Sequence, residues 1–127
     1  MTPETILLRQ AHPKFMDGAL PTSQVFYPFP KDEGKLSVYD GDQITPEDAH
    51  RHYTDVLANE SHSVWGVSGA EARSEATVPL EDPLVNFPSH ALIDFQGMSD
   101  KECRKVAKKL KAHAVSRGCL FTGPQHG

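Results

Sequence analysis

Short apolar runs bounded by Gly, Pro, Asn and Asp dominate the pattern along this chain, and runs of that length predict strands. Thr5-Ile6-Leu7-Leu8-Arg9-Gln10 predicts the first, ended by His12-Pro13 and followed by the turn signal Asp17-Gly18. Thr22 to Phe26 predicts the second. Lys35 to Tyr39, with Leu36 and Val38 at period two, predicts the third. Between them Pro28 and Pro30 deny a ladder its donors, so Tyr27 to Gly34 reads as loop. Ser63 to Val67 predicts the fourth strand. His90 to Phe95 predicts a fifth, whose apolar run suits an interior position. Residues 76–89, with Pro79, Pro83 and Pro88, read as a long loop.

Helices announce themselves by their caps. Thr45-Pro46-Glu47-Asp48 supplies a cap, a proline at the first helical position and acids in the first turn. The helix it opens is expected to run to about Ala58, with Ala49, Tyr53, Val56 and Leu57 on its apolar face. Ser68-Gly69-Ala70-Glu71 and Ser99-Asp100-Lys101-Glu102 have the form of capping boxes. The first opens a short helix. The second opens one over 99–116, with Cys103, Val106, Ala107, Leu110 and Ala114 on one face and Gly118 as C-terminal cap. The expected fold is α+β: about five strands in a mixed sheet, the first three pairing as a meander, with two main helices packed on it. One domain spans 1–122, and 123–127 is a frayed tail. The expected core is Ile6, Leu8, Val25, Leu36, Val38, Tyr53, Val56, Leu57, Val64, Leu92, Ile93, Val106 and Leu110. Trp65 alternates with Val64, so one of the two should face outward or into a cleft.

Composition narrows the class. Of 127 residues, 38% are hydrophobic and 24% charged, which suits a globular chain rather than a disordered one. No apolar run could span a bilayer. The first residues lack the basic start and apolar core of a secretion signal, so the expectation is a cytoplasmic protein with no membrane partner. Cys103 and Cys119 stand roughly 20 Å apart along mostly helical chain, too far for a disulfide, and read as two buried thiols. The net charge of −4 hides an asymmetry. Residues 1–98 carry six basic and fifteen acidic side chains, a net −9, and residues 99–127 carry seven basic and two acidic, a net +5. Lys105, Lys108 and Lys109 sit at the centre of that positive pole and could face phosphate or an acidic partner.

The candidate chemistry is polar and metal-free. His50 and His52 lie two apart on a predicted helix, where their side chains diverge, so they read as a solvated face. No metal site and no cofactor is expected. His12 and His90, with Lys14 nearby, could act on RNA as base, acid and cation if their strands are neighbours. Arg9, Ser37 and Tyr39 follow the strand order of ADP-ribosyltransferase-like folds. In that arrangement the arginine pairs with a dinucleotide's phosphates and the tyrosine stacks on nicotinamide. Asp94 is then the one candidate for a late polar catalytic residue. Lys31 belongs to a charged loop, Lys31-Asp32-Glu33-Gly34-Lys35, without a Walker pattern.

Several segments taken together resemble a family of short, uncharacterised bacterial proteins. They are Arg9-Gln10-Ala11-His12-Pro13, Thr22-Ser23-Gln24-Val25-Phe26, Lys31-Asp32-Glu33, Leu36-Ser37-Val38-Tyr39-Asp40-Gly41-Asp42 and His90-Ala91-Leu92-Ile93-Asp94-Phe95. The resemblance runs from about residue 6 to residue 117 and carries no activity. It implies that Arg9, His12, Ser23, Gln24, Lys31, Asp32, Ser37 and His90 belong to one shared polar feature. Two functions are expected from these features. One is a small accessory protein that binds a partner macromolecule, a protein in the first instance, through a polar cleft or the basic last helix. The alternative is an enzyme acting on a nucleotide or RNA, built from Arg9, His12, Ser37, Tyr39 and His90, with Lys14 and Lys31 as binding cations.

Overall fold

The computed structural model of the chain describes residues 1–124. In chain order the elements are β1 (Ile6–Ala11), a small hairpin of β2 (Met16–Asp17) and β3 (Leu20–Pro21), β4 (Lys35–Asp40), α1 (Pro46–Arg51), β5 (Ser63–Ser68), α2 (Gly69–Ser74), β6 (Val78–Glu81), β7 (His90–Asp94), α3 (Asp100–Arg117) and β8 (Phe121–Thr122). The architecture is α+β. Six strands form one sheet in the order β6-β7-β4-β1-β5-β8, and its pairs are antiparallel throughout rather than mixed. No helix among the described residues is long and apolar enough to cross a membrane.

The caps read from the sequence are in place. Thr45 Oγ1 accepts from Asp48 N. Ser68 and Glu71, and likewise Ser99 and Glu102, exchange reciprocal side-chain to backbone bonds. Cys103, Ala107, Leu110 and Ala114 bury one face of α3, with Val106 partly buried beside them, against Leu7, Leu36, Trp65, Val67 and Ile93. The opposite face of the sheet packs Leu8, Tyr39 and Val64 against Ala49 of α1, with Tyr53 and Phe87 at the margin. A sheet covered on both sides explains why Trp65 and Val64 are both buried, at 3% and 0% exposure, and neither faces out.

Several expectations are corrected. Thr22 to Phe26 is not a strand: Ser23–Phe26 winds as a 3-10 turn, and Val25 and Phe26 meet their apolar neighbours in the α3-side core instead of a ladder. The first three predicted strands therefore form no meander, and β4 lies directly beside β1. The stretch 76–89 contains β6, which pairs with β7 alone. Pro79 is tolerated there because an edge strand has one side without ladder partners. Beyond Arg51 the first helix continues as a π-helix over His52–Val56. The extra residue in that turn rotates the next residues by about 100° out of α-helical phase. Val56 and Leu57 are consequently exposed, at 69% and 40%, and do not join the core.

The two histidines of this segment are not solvated. His50 is buried with Nε2 at 3.0 Å from the Ser61 carbonyl, and His52 meets the Tyr39 hydroxyl at 2.8 Å. Cys103 is buried but Cys119 is exposed. At the C-terminal end Gly123 is buried and donates to the His62 carbonyl at 2.9 Å, so the chain is still anchored there. Pro124 is exposed, and 125–127 of the expected tail lie outside the described residues.

Helix α2 is tied to α3 by charge. Arg117 Nη1 donates to Glu71 Oε1 at 2.6 Å, and His113 reaches Glu71 and Glu75 at 3.6 and 2.8 Å. Burial by itself would raise the Glu71 carboxyl. The Arg117 guanidinium, the Ser68 N–H and His113 outweigh it and hold the group below the usual carboxylate range.

Two outcomes are expected. Leu110→Ala should cost about 2–5 kcal/mol in a denaturant titration, because the side chain is fully buried in the α3 seam. The lowered Glu71 value makes its contribution complete above the ordinary carboxylate value of about 4.3 and lost as pH falls through the folded one. Melting curves should therefore drop on acidification below about pH 4, and Glu71→Gln should flatten that slope.

Candidate functional site

The site begins where two central strands part. β1 pairs with β5 along its whole length, from Ile6↔Ser68 to Ala11↔Ser63. Its pairing with β4 covers only Leu7↔Asp40 and Leu8↔Tyr39. Beyond Leu8 the strands diverge, and a cleft of about 950 Å³ opens between Arg9 and Gln10 on one side and Ser37, Val38 and Tyr39 on the other. Its far walls are Tyr53 from the π-helical segment and Leu57 just after it, Leu84 and Phe87 from the β6–β7 loop, and Phe15, Phe29, Lys31 and Asp32 from the connection to β4.

Arg9 fills the base of the split. Its Nε donates to the Val25 carbonyl at 2.7 Å and its Nη1 to the Ser37 carbonyl at 2.9 Å. The second of these is an acceptor that a paired β1 would otherwise have met. Burial pushes the guanidinium below its ordinary value, against the pull of Tyr53 and Asp32, yet a guanidinium remains charged in proteins. Among the described residues it forms no ion pair, and three of its five donors carry no hydrogen bond. Beside it Gln10, at 7% exposure, accepts from Ser61 Oγ at 2.6 Å while its Nε2 is buried without a partner. The cleft wall thus carries a cation with donors that no group among the described residues answers.

His90 joins three elements. Its Nδ1 lies 3.0 Å from both Asp82 Oδ2 and the Asp82 carbonyl. Its Nε2 lies 3.3 Å from Ser37 Oγ. Both partners of Nδ1 are oxygens that can only accept, so Nδ1 carries the proton and neutral Nε2 is an acceptor for the Ser37 hydroxyl. Phe87 packs edge-on against His90, 5.0 Å between centroids, and also against Tyr39 and His52. Burial, with the charge of Tyr53 adding to it, raises the Tyr39 hydroxyl well above its ordinary value, so this hydroxyl stays protonated.

His12 has the opposite tautomer. Its Nδ1 accepts from the Lys14 N–H at 3.0 Å and caps the 3-10 turn Pro13–Phe15, which leaves Nε2 as the protonated nitrogen. Position separates the two histidines as well. His90 stands in register with Tyr39, and Tyr39 with Leu8, whereas His12 lies four residues further along the chain of β1. That is about 13 Å along a strand. The cleft lining contains both imidazoles, separated by that stretch of chain.

Of the residues expected from sequence, Arg9, His12, Lys31, Ser37, Tyr39 and His90 line this cleft, and so does Asp32. Within it Arg9, Ser37 and His90 are linked by direct bonds, whereas the Tyr39 hydroxyl turns to His52. Lys14 is exposed and lies outside the lining, as do Ser23 and Gln24. Asp94 lies at the far end of β7, opposite Lys35, and caps Gln96 N at 2.8 Å. Lys105, Lys108 and Lys109 belong to α3, on the other face of the sheet. Sequence reasoning passed over Asp82, Gln10, Tyr53 and Phe87. Asp82 was legible in principle, because reading Val78–Glu81 as a strand in register with Ala91 places the next residue opposite His90. Comparison with known proteins yields no match to a family model, a curated protein or a solved structure.

The raised Tyr39 value gives a test of this wall. Stability from the protonated hydroxyl is complete below the unfolded value of about 10 and is lost as pH rises towards the folded one. Denaturant titrations at pH 9 and pH 11 should show a fall that is smaller in Tyr39→Phe.

Proposed function

We propose that the cleft binds a phosphate-bearing ligand of the nucleotide class, with Arg9 as its anion anchor. The observation that carries this reading is the half-buried Arg9 guanidinium in the cleft wall, which among the described residues has no carboxylate partner and keeps three donors without hydrogen bonds. A desolvated cation gains most from an anion that completes its hydrogen bonds, and a guanidinium suits a phosphate's paired oxygens. Lys31 lies in the lining, and Phe29, Tyr53 and Phe87 supply aromatic faces of the kind on which bases stack. The two-histidine route to RNA cleavage gains less from this geometry. His12 would have to protonate Nδ1 and give up its cap on Lys14 to become the acid.

A second reading rests on a separate surface. Lys101, Arg104, Lys105 and Lys108 are exposed on α3 and form no ion pair among the described residues, while Lys109 is partnered by Glu75 at 3.8 Å. This row suits an acidic partner protein. The sheet separates it from the cleft, so the two surfaces can be tested independently.

The cleft reading is tested by thermal shift with AMP, ADP, NAD and a short oligoribonucleotide. Binding should raise the melting temperature by mass action. Arg9→Gln should remove the shift. Lys31→Ala, at an exposed position, should weaken it without changing the unliganded melting temperature. No shift with any of these ligands, or a shift that survives both substitutions, would overturn the reading.

A further inference from the structure

We infer that Ser37, His90 and Asp82 form a proton relay that makes Ser37 Oγ a nucleophile towards carboxylic esters. The inference stands on the hydrogen-bond chain and not on the nucleotide reading. Three elements converge on it: Ser37 from the middle of β4, His90 from the start of β7, and Asp82 from the residue after β6. The order of contacts is Ser37 Oγ to His90 Nε2 at 3.3 Å, then His90 Nδ1 to Asp82 Oδ2 at 3.0 Å.

Each link has a physical reason to persist. Asp82 N donates to the His90 carbonyl at 3.1 Å, so the carboxylate is tied to the backbone of the histidine it orients. Phe87 closes one side of the imidazole, and the His90 side chain is only 11% exposed. Ser37 is exposed and on the cleft wall, so a substrate can reach its hydroxyl. The tautomer set by Asp82 leaves the Nε2 lone pair pointing at the hydroxyl proton, as a general base requires. The same arrangement is absent at His12, whose Nδ1 is committed to a backbone N–H.

The chemistry balances with an ester and water alone. Ser37 Oγ attacks the ester carbonyl carbon while its proton passes to His90 Nε2. The tetrahedral adduct collapses, the carbon–oxygen bond to the alcohol breaks, and His90 returns the proton to the departing oxygen. Water then attacks the acyl-Ser37 by the same route in reverse, giving the carboxylic acid and free Ser37. Arg9, bonded to the Ser37 carbonyl, supplies positive charge for the oxyanion through its free N–H groups. Asp82 stabilises the imidazolium that forms and does not itself need to take the proton.

The test is covalent labelling of the full chain with a fluorophosphonate probe, mapped by peptide mass spectrometry. Oγ attack at phosphorus expels fluoride and leaves a stable adduct. Label is expected on Ser37 and none in Ser37→Ala. The labelling rate should fall by about 10²-fold or more in His90→Gln, and also fall in Asp82→Asn, which preserves shape at a half-exposed position. Thermal melts of each variant separate a lost relay from a lost fold. Hydrolysis of p-nitrophenyl acetate with a burst of one equivalent should follow the same ranking. Absence of label on wild-type Ser37, or labelling at the wild-type rate in a folded Asp82→Asn and His90→Gln pair, would overturn the relay. Neither result depends on whether nucleotides bind.

Discussion

The guanidinium of Arg9 bridges the point at which the central sheet comes apart. β1 must choose between neighbours there: it stays with β5 to its end and leaves β4 after Leu8. The departure strips the Ser37 carbonyl of its ladder donor, and the turn at Ser23–Phe26 presents the Val25 carbonyl to the same space. One arginine answers both, because its planar fork donates in two directions at once. A lysine has no such fork. The solution holds the strands at a fixed separation and leaves a cation in the gap it props open.

The surroundings of that gap are set by the two-sided sheet. Helices α2 and α3 seal one face with the larger apolar cluster. The other face is covered only in part, by α1 and by the β6–β7 loop. The π-helical continuation of α1 turns Val56 outwards while Tyr53 and Leu57 line the cleft. From the other side the loop brings Phe87 against Tyr39, His52 and His90 together. The basic face of α3 lies beyond the sheet from the cleft, and the acids of α2, Glu71 and Glu75, meet its last turns.

The two histidines of the cleft show how backbone decides chemistry. A backbone N–H at Nδ1 makes His12 an acceptor there and leaves its outward nitrogen protonated. A carboxylate and a carbonyl at Nδ1 of His90 do the reverse. The same side chain thus becomes a cap in one place and a base facing a hydroxyl in another, and nothing in the residue type distinguishes them.

Local signals in the sequence were enough for the caps of α1, α2 and α3, for the four strands β1, β4, β5 and β7, and for the buried stripe of α3. Each depends on residues close along the chain. Thr45 caps Asp48, and Leu36 and Val38 alternate, whatever the rest of the molecule does. Errors came where a distant partner overrides the local pattern. Val25 and Phe26 look like strand residues but serve the α3 seam. Pro79 looks like a loop residue but sits on an edge that spares its missing donor. A single inserted residue in the π-turn moved Val56 and Leu57 out of the core. By itself the sequence determined which polar residues the chain carries on β1, β4 and β7, among them Arg9, Ser37 and His90. Only the tertiary structure decided that β1 would leave β4 at Leu8, that Asp82 would close on His90 and that Gln10 would keep an unpaired donor. Those outcomes depend on strand order and register between segments tens of residues apart, and periodicity within a segment does not encode them.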